Sequence, residues 1–197
     1  MTNVVWQQFD VNDRRKGGRG KFQPCLIWLT GLPGSGKSTI ARAIGLELDK
    51  LNYSTFVLDG DNLRHGLCSD LGFSENDRRE NVRRAGEVSK LLVQSGNIVL
   101  ASFISPYAID RERVKTMLAP YQFVEVYCDT PLEVCEARDP KGLFALARAG
   151  KIADFTGVSA PYEPPVESDI WLLPGQQSIE DCVRSVVGYL TDQRLTR

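Results

Sequence analysis

Gly31-Leu32-Pro33-Gly34-Ser35-Gly36-Lys37-Ser38 follows an apolar run, Cys25–Thr30, and opens a segment of helical period, Lys37–Leu51. The octapeptide fits G-x-x-x-x-G-K-[ST], and its demand is geometric. A backbone that wraps a polyphosphate with its N–H groups inward needs glycine wherever a Cβ would collide. The helix that follows turns its unpaired N–H groups and its positive dipole end toward the same anion. Lys37 then reaches the β- and γ-phosphates, and the Ser38 hydroxyl is a ligand for Mg²⁺. Strand, glycine loop and helix in this order predict a nucleoside triphosphate site.

Outward from the loop, short β-rich apolar runs alternate with longer helical segments. The runs are Cys25–Thr30, Thr55–Leu58, Ile98–Phe103, Phe123–Cys128 and Ile170–Leu173; the helical segments are Lys37–Leu51, Asp77–Ser95, Ile109–Leu118, Pro131–Arg138 and Ile179–Leu190. Near-continuous apolar strands separated by helices predict an α/β, doubly wound, mainly parallel five-stranded sheet with helices on both faces. Residues 1–24 read as a polar arm containing the basic stretch Arg14–Lys21, and residues 25–197 as one domain. Within that domain the Gly-, Pro- and charge-rich stretch Asp139–Pro165 reads as a lid.

The whole chain, 197 residues with 24 Lys+Arg against 25 Asp+Glu, is composed like an ordinary globular protein. A net charge of −1 argues against binding polymeric nucleic acid or an anionic membrane. Of the basic residues, 16 are Arg, the side chain that grips planar oxyanions bidentately. Five widely spaced cysteines contain no C-x-x-C pair and define no metal framework. The N-terminus lacks a signal-peptide pattern, and Cys25–Leu29 is too short to span a bilayer, so a reduced, cytoplasmic protein is expected.

Three further stretches fall where a parallel sheet presents its ligands, beyond the carboxyl ends of the strands. Asp59-Gly60-Asp61 ends the second strand: Asp59 either caps the turn or faces the phosphates, and Asp61 is the better candidate for a base or Mg²⁺ carboxylate. Phe73–Arg84 opens on a loose capping box, Ser74 with Asp77, and places Arg78 and Asn81 on one helix face. That segment is either a solvated helix laced with ion pairs or a clamp on an anionic acceptor. Ser105, in Phe103-Ile104-Ser105-Pro106-Tyr107, bonds substrate, accepts a phosphoryl group, or starts the next helix. A GTPase switch is disfavoured because no N-K-x-D occurs, and Asp139-Pro140-Lys141-Gly142 fits D-x-x-G only beyond the fourth strand. Small-molecule kinases suit the length.

Taken together, these motifs resemble the adenylylsulfate kinase family of P-loop kinases. The matching stretches are Gly31–Thr39, Asp59–Gly72, Phe73–Arg84, Phe103–Tyr107, Phe123–Thr130, Cys135–Leu143 and Ala147–Gly157. The resemblance implies Mg²⁺-dependent transfer from ATP to the 3′-hydroxyl of adenosine 5′-phosphosulfate (APS), in sulfate activation, by a homodimer. On matching positions, Gly31 through Thr39 and Arg138 would contact ATP. Asp61, Arg64, Arg78 and Asn81 would face APS, and Phe73 and Phe155 would sandwich its adenine. Ile104 and Ser105 would line the same site, with Lys141 and Leu143 closing over it. The catalytic set would be Asp61 and Lys37, with Ser105 as a family phosphoserine position ranked below Asp61. Three positions depart from the family pattern: Pro33 for Ser, Ala145-Leu146 for two lysines, and Gln7 for His. Another small P-loop kinase, acting on a nucleoside, sugar acid or shikimate, is the runner-up, followed by a catalytically silent nucleotide-binding module.

Overall fold

The computed structural model describes residues 23–192, so nearly all of the sequence-read arm, Gln7 included, lies outside the described residues. Five strands, β1 (Cys25–Thr30), β2 (Thr55–Asp59), β3 (Ile98–Ser102), β4 (Gln122–Cys128) and β5 (Ile170–Leu172), form one sheet in the order β2-β3-β1-β4-β5. Every pairing is parallel, with Ile27 set against Leu100 on one side and Val124 on the other. After β1 the chain passes to one edge, returns through β3, and then builds outward on the opposite side through β4 and β5. The crevice that such a reversal opens lies at the carboxyl end of β1, where the glycine loop begins.

Among the described residues, seven helices accompany the sheet: α1 (Lys37–Lys50), α2 (Gly60–Arg64), α3 (Glu75–Gln94), α4 (Ala108–Leu118), α5 (Leu132–Arg138), α6 (Leu143–Arg148) and α7 (Ile179–Asp192). The alternation of β1 explains the two layers. Cys25, Ile27 and Leu29 pack with Ile40, Ile44 and Leu48 of α1 and Val186 and Leu190 of α7. Leu26 and Trp28 point the other way, into a core shared with Val82 and Ala85 of α3 and Val114 and Leu118 of α4. Trp28 is fully buried and stacks on Phe103 with ring centroids 4.9 Å apart. Removing an aromatic side chain from such a core costs about 3–5 kcal/mol.

Two helices were not expected, and α3 starts earlier than its apolar period suggested. Ser74 caps α3, its hydroxyl accepting from the Asp77 N–H at 3.2 Å and donating to the Asp77 carboxylate at 2.7 Å. Asp59 caps α2, accepting from the Asp61 N–H at 2.9 Å. Asp139 does the same for α6, accepting from the N–H groups of Phe144 and Ala145 at 3.1 and 3.0 Å. The D-x-x-G match is therefore a helix start. The segment 139–165 has a small core of its own, with Phe144, Ala147 and Phe155 packing on Cys135 and against Leu32 of the glycine loop. Among the described residues, no helix is long and apolar enough to cross a membrane.

Candidate active site

The loop between β1 and α1 is built around backbone that only glycine adopts without strain. Gly31 has φ +150°, and a Cβ there would meet the Cys128 carbonyl oxygen at 2.7 Å and Ser35 Oγ at 2.9 Å. Gly36, at φ +96°, starts α1 with no side-chain cap and no acidic residue in the first turn. The first-turn N–H groups and the dipole end are thus left to an anion. Ser35 is fully buried, and its carbonyl accepts from Thr130 Oγ1 at 3.1 Å, which ties the loop to the end of β4.

Lys37 is only 7% exposed, and its ammonium donates to the Leu32 carbonyl at 2.6 Å and to Ser35 Oγ at 3.2 Å. Burial lowers its pKa to about 8, against the opposing pull of Asp59 and Asp61. Ser38 Oγ lies 3.1 Å from Ser102 Oγ at the end of β3. Arg138 closes the loop from outside, donating to the carbonyls of Gly34 at 3.3 Å and Pro174 at 2.7 Å.

Opposite the loop, helices α2 and α3 supply cations. Arg64 donates to the Leu71 and Gly72 carbonyls and lies over the Phe73 ring, 4.4 Å from its centroid. Arg78 and Asn81 are 8% and 7% exposed on the same face of α3. Arg78 reaches the Phe73 carbonyl at 2.8 Å, Thr156 Oγ1 at 3.0 Å and the Asp154 carbonyl, so it joins α3 to the 139–165 segment. Asn81 Oδ1 is buried and has no hydrogen-bond partner among the described residues. The helix has two unlike faces. Arg79, Arg83 and Arg84 pair with Glu75, Glu80, Glu87 and Asp70 on the solvated side, while Arg78 and Asn81 turn inward. Asp61 forms an exposed ion pair with Lys141 across the cleft.

Ser105 does not start a helix, which removes one of its three sequence readings: α4 begins at Ala108 with Tyr107 as its cap residue. The Ser105 hydroxyl instead accepts from the Trp28 indole at 3.0 Å and donates to Thr30 Oγ1 at 2.9 Å. Thr30 Oγ1 in turn donates to the Ile104 carbonyl at 2.9 Å and lies 3.0 Å from the Tyr162 hydroxyl. Ser105 sits in the left-handed region at φ +39°.

One cleft of about 1050 Å³ runs between these groups. It is lined by Pro33, Gly34, Gly36, Lys37, Ser38, Thr39 and Arg138 at one end. Asp61, Arg64, Phe73, Arg78 and Asn81 line the other, together with Ile104, Ser105, Lys141, Leu143 and Phe155. Gly31, Leu32 and Ser35 belong to the same loop but do not line the cleft. Phe73 is 56% exposed at the rim, whereas Phe155 is buried with its ring edge-on to Phe144, so lid packing and cleft lining are one role for Phe155. Sequence reading missed Ser102, Thr156, Pro174 and Gln177, which also line the cleft. Ser102 and Pro174 carried a signal, since both lie at carboxyl ends of strands.

Residues 23–173 match the adenylylsulphate kinase family model. The chain is 50% identical to an adenylyl-sulfate kinase of Marinobacter nauticus, over 100% of this chain and 99% of that one. It is 49% identical to one of Oceanobacillus iheyensis, over 98% and 97%. A solved structure of Mycobacterium tuberculosis APS kinase in complex with AMPPNP and APS superposes with a TM-score of 0.84 at 47% identity, covering 86% of this chain and 99% of that chain. With likeness extending along its whole length, through glycine loop, cationic helix face and lid alike, the chain belongs to the adenylylsulphate kinase family.

Proposed function

We propose that the protein transfers the γ-phosphoryl group of ATP to the 3′-hydroxyl of APS, giving ADP and 3′-phosphoadenosine 5′-phosphosulfate. The observation that carries this reading is the single cleft, which joins a triphosphate cradle to a cationic, aromatic-rimmed acceptor end. A sugar-kinase acceptor pocket has no need of Arg64, Arg78 and an exposed Phe73 side by side, whereas a nucleotide bearing phosphosulfate uses all three.

In this reading the loop amides and Lys37 hold the β- and γ-phosphates and offset the charge that develops during transfer. Arg64, Arg78 and Asn81 hold the phosphosulfate, with Asn81 Oδ1 open to a donor, and Phe73 and Phe155 flank the adenine. Lys141, paired with Asp61 across the cleft, moves to the acceptor's anionic end as it binds. Asp61 is then free to accept the proton of the 3′-hydroxyl. Ser105 holds the acceptor floor through Trp28 and Thr30, and direct transfer needs no covalent stop on its hydroxyl.

The donors present suit Mg²⁺. Ser38 Oγ, Ser102 Oγ and the Asp59 and Asp61 carboxylates are hard oxygens, and in kinase sites Mg²⁺ takes one or two such groups together with substrate phosphates. Ser38 Oγ and the Asp61 carboxylate would hold the ion, whose chemistry there would be to offset phosphate charge during transfer. A homodimer in a reduced, cytoplasmic setting completes the reading, and the five unpaired, buried cysteines agree with that setting.

Replacing Lys37 tests the transfer role directly. Lys37→Ala is expected to lower kcat by about 10²–10³-fold or more with the far-ultraviolet spectrum unchanged; a folded variant with near wild-type turnover would refute the assignment.

A further inference from the structure

We infer that Arg111 is a positioning residue for the acceptor end of the cleft, acting through the Ser105 turn and the end of the lid. The inference rests on the proposed APS reading of that end. Arg111 lies in the first turn of α4, 4% exposed, where the helix dipole disfavours a cation and burial disfavours any charge. What holds it there is its fork of donors. Nε donates to Glu125 Oε1 on β4 at 2.8 Å, Nη1 to the Ser105 carbonyl at 2.8 Å, and Nη2 to the Glu163 carbonyl at 2.9 Å.

Two of these three acceptors belong to segments that shape the cleft. Ser105 carries a positive φ that an ordinary side chain avoids, so surrounding bonds must hold it. Trp28 and Thr30 fix its hydroxyl, and Arg111 fixes its carbonyl. Glu163 ends the lid and is clasped to the same turn. Its N–H donates to the Pro106 carbonyl at 2.8 Å, and its carboxylate accepts from the Ala108 N–H at 2.7 Å. One planar guanidinium therefore joins β4, the β3–α4 turn and the lid's C-terminal end. A stabilising ion pair with Glu125 would need only one of its three nitrogens, and a lysine ammonium cannot reproduce the fork.

The test is Arg111→Lys in the full chain, read by steady-state kinetics and by amide hydrogen exchange. The KM for APS is expected to rise about tenfold or more, with the KM for ATP within about twofold. Exchange at Ile104, Ser105 and Glu163 should quicken while Ile27 in β1 stays protected. Glu125→Gln, which keeps both carbonyl contacts, should leave the APS KM within about twofold. Equal rises in both KM values, unchanged exchange, an APS defect reproduced by Glu125→Gln, or an Arg111→Lys chain that does not fold would each overturn the proposal. A wild-type protein inactive with APS would remove the functional reading alone, because the exchange measurement still decides the role of Arg111.

Discussion

Lys37, proposed to hold the transferring phosphoryl group, sits in a setting that resists its charge. Burial lowers its pKa to about 8, so the free protein loses the ammonium as pH rises through that value. ATP phosphates favour the charged form and raise the pKa on binding. The expected outcome is that kcat/KM for ATP falls as pH rises through about 8, while kcat at saturating ATP holds to higher pH. A kcat/KM flat across that range would contradict the burial account. The sign for stability is opposite. Between about 8 and the unfolded value of 10.5 the unfolded chain binds more protons at this group, so its contribution to stability rises with pH. Lys37 and Ser38 were legible in the sequence because the loop motif fixes their geometry. Asp59 was not, because a carboxylate that caps a turn and one that faces phosphate look alike until the Asp61 N–H is seen donating to it. The Ser105 hydroxyl was equally hidden, since its partners Trp28 and Thr30 come from another strand.

At the scale of elements, all five strands were readable because each carries a short apolar run; β1 and β3 are wholly buried between two helical layers, whereas the edge strands β2 and β5 expose Phe56, Val57 and Trp171. Helices α2 and α6 were not, since five or six residues are too short to display a period. Both are set by carboxylate caps, and both carry cleft residues. The lid that contains α6 touches the opposite wall through Lys141 and Asp61, an exposed pair that contributes little to stability. Lys141→Met is accordingly expected to leave Tm within about 2 °C. The same change should raise the KM for APS several-fold, as measured in the ADP-release assay. A large drop in Tm with an unchanged KM would make the pair structural instead. Ala145 and Leu146 lie exposed on α6.

Across the whole molecule, charge balance conceals a local excess. The net charge is −1, yet Lys37, Arg64, Arg78, Arg138 and Lys141 line one cleft. Asp59, Asp61 and Asp139 line the same cleft but leave it a cationic excess, and other acidic residues pair away from it, among them Glu75, Glu80 and Asp70 on the solvated side of α3. The parallel order β2-β3-β1-β4-β5 makes this possible, because it brings the ends of β1, β2 and β3 to one crevice. Such a scaffold does not by itself fix the acceptor. What separates one kinase from another is therefore the acceptor end. The most direct measurement is ADP release with ATP and Mg²⁺, set beside identification of the phosphorylated product, for APS and for a nucleoside, gluconate and shikimate. The account predicts saturable ADP release with APS, matched mole for mole by 3′-phosphorylated APS, and background rates with the others. Turnover with one of those acceptors and none with APS would contradict it.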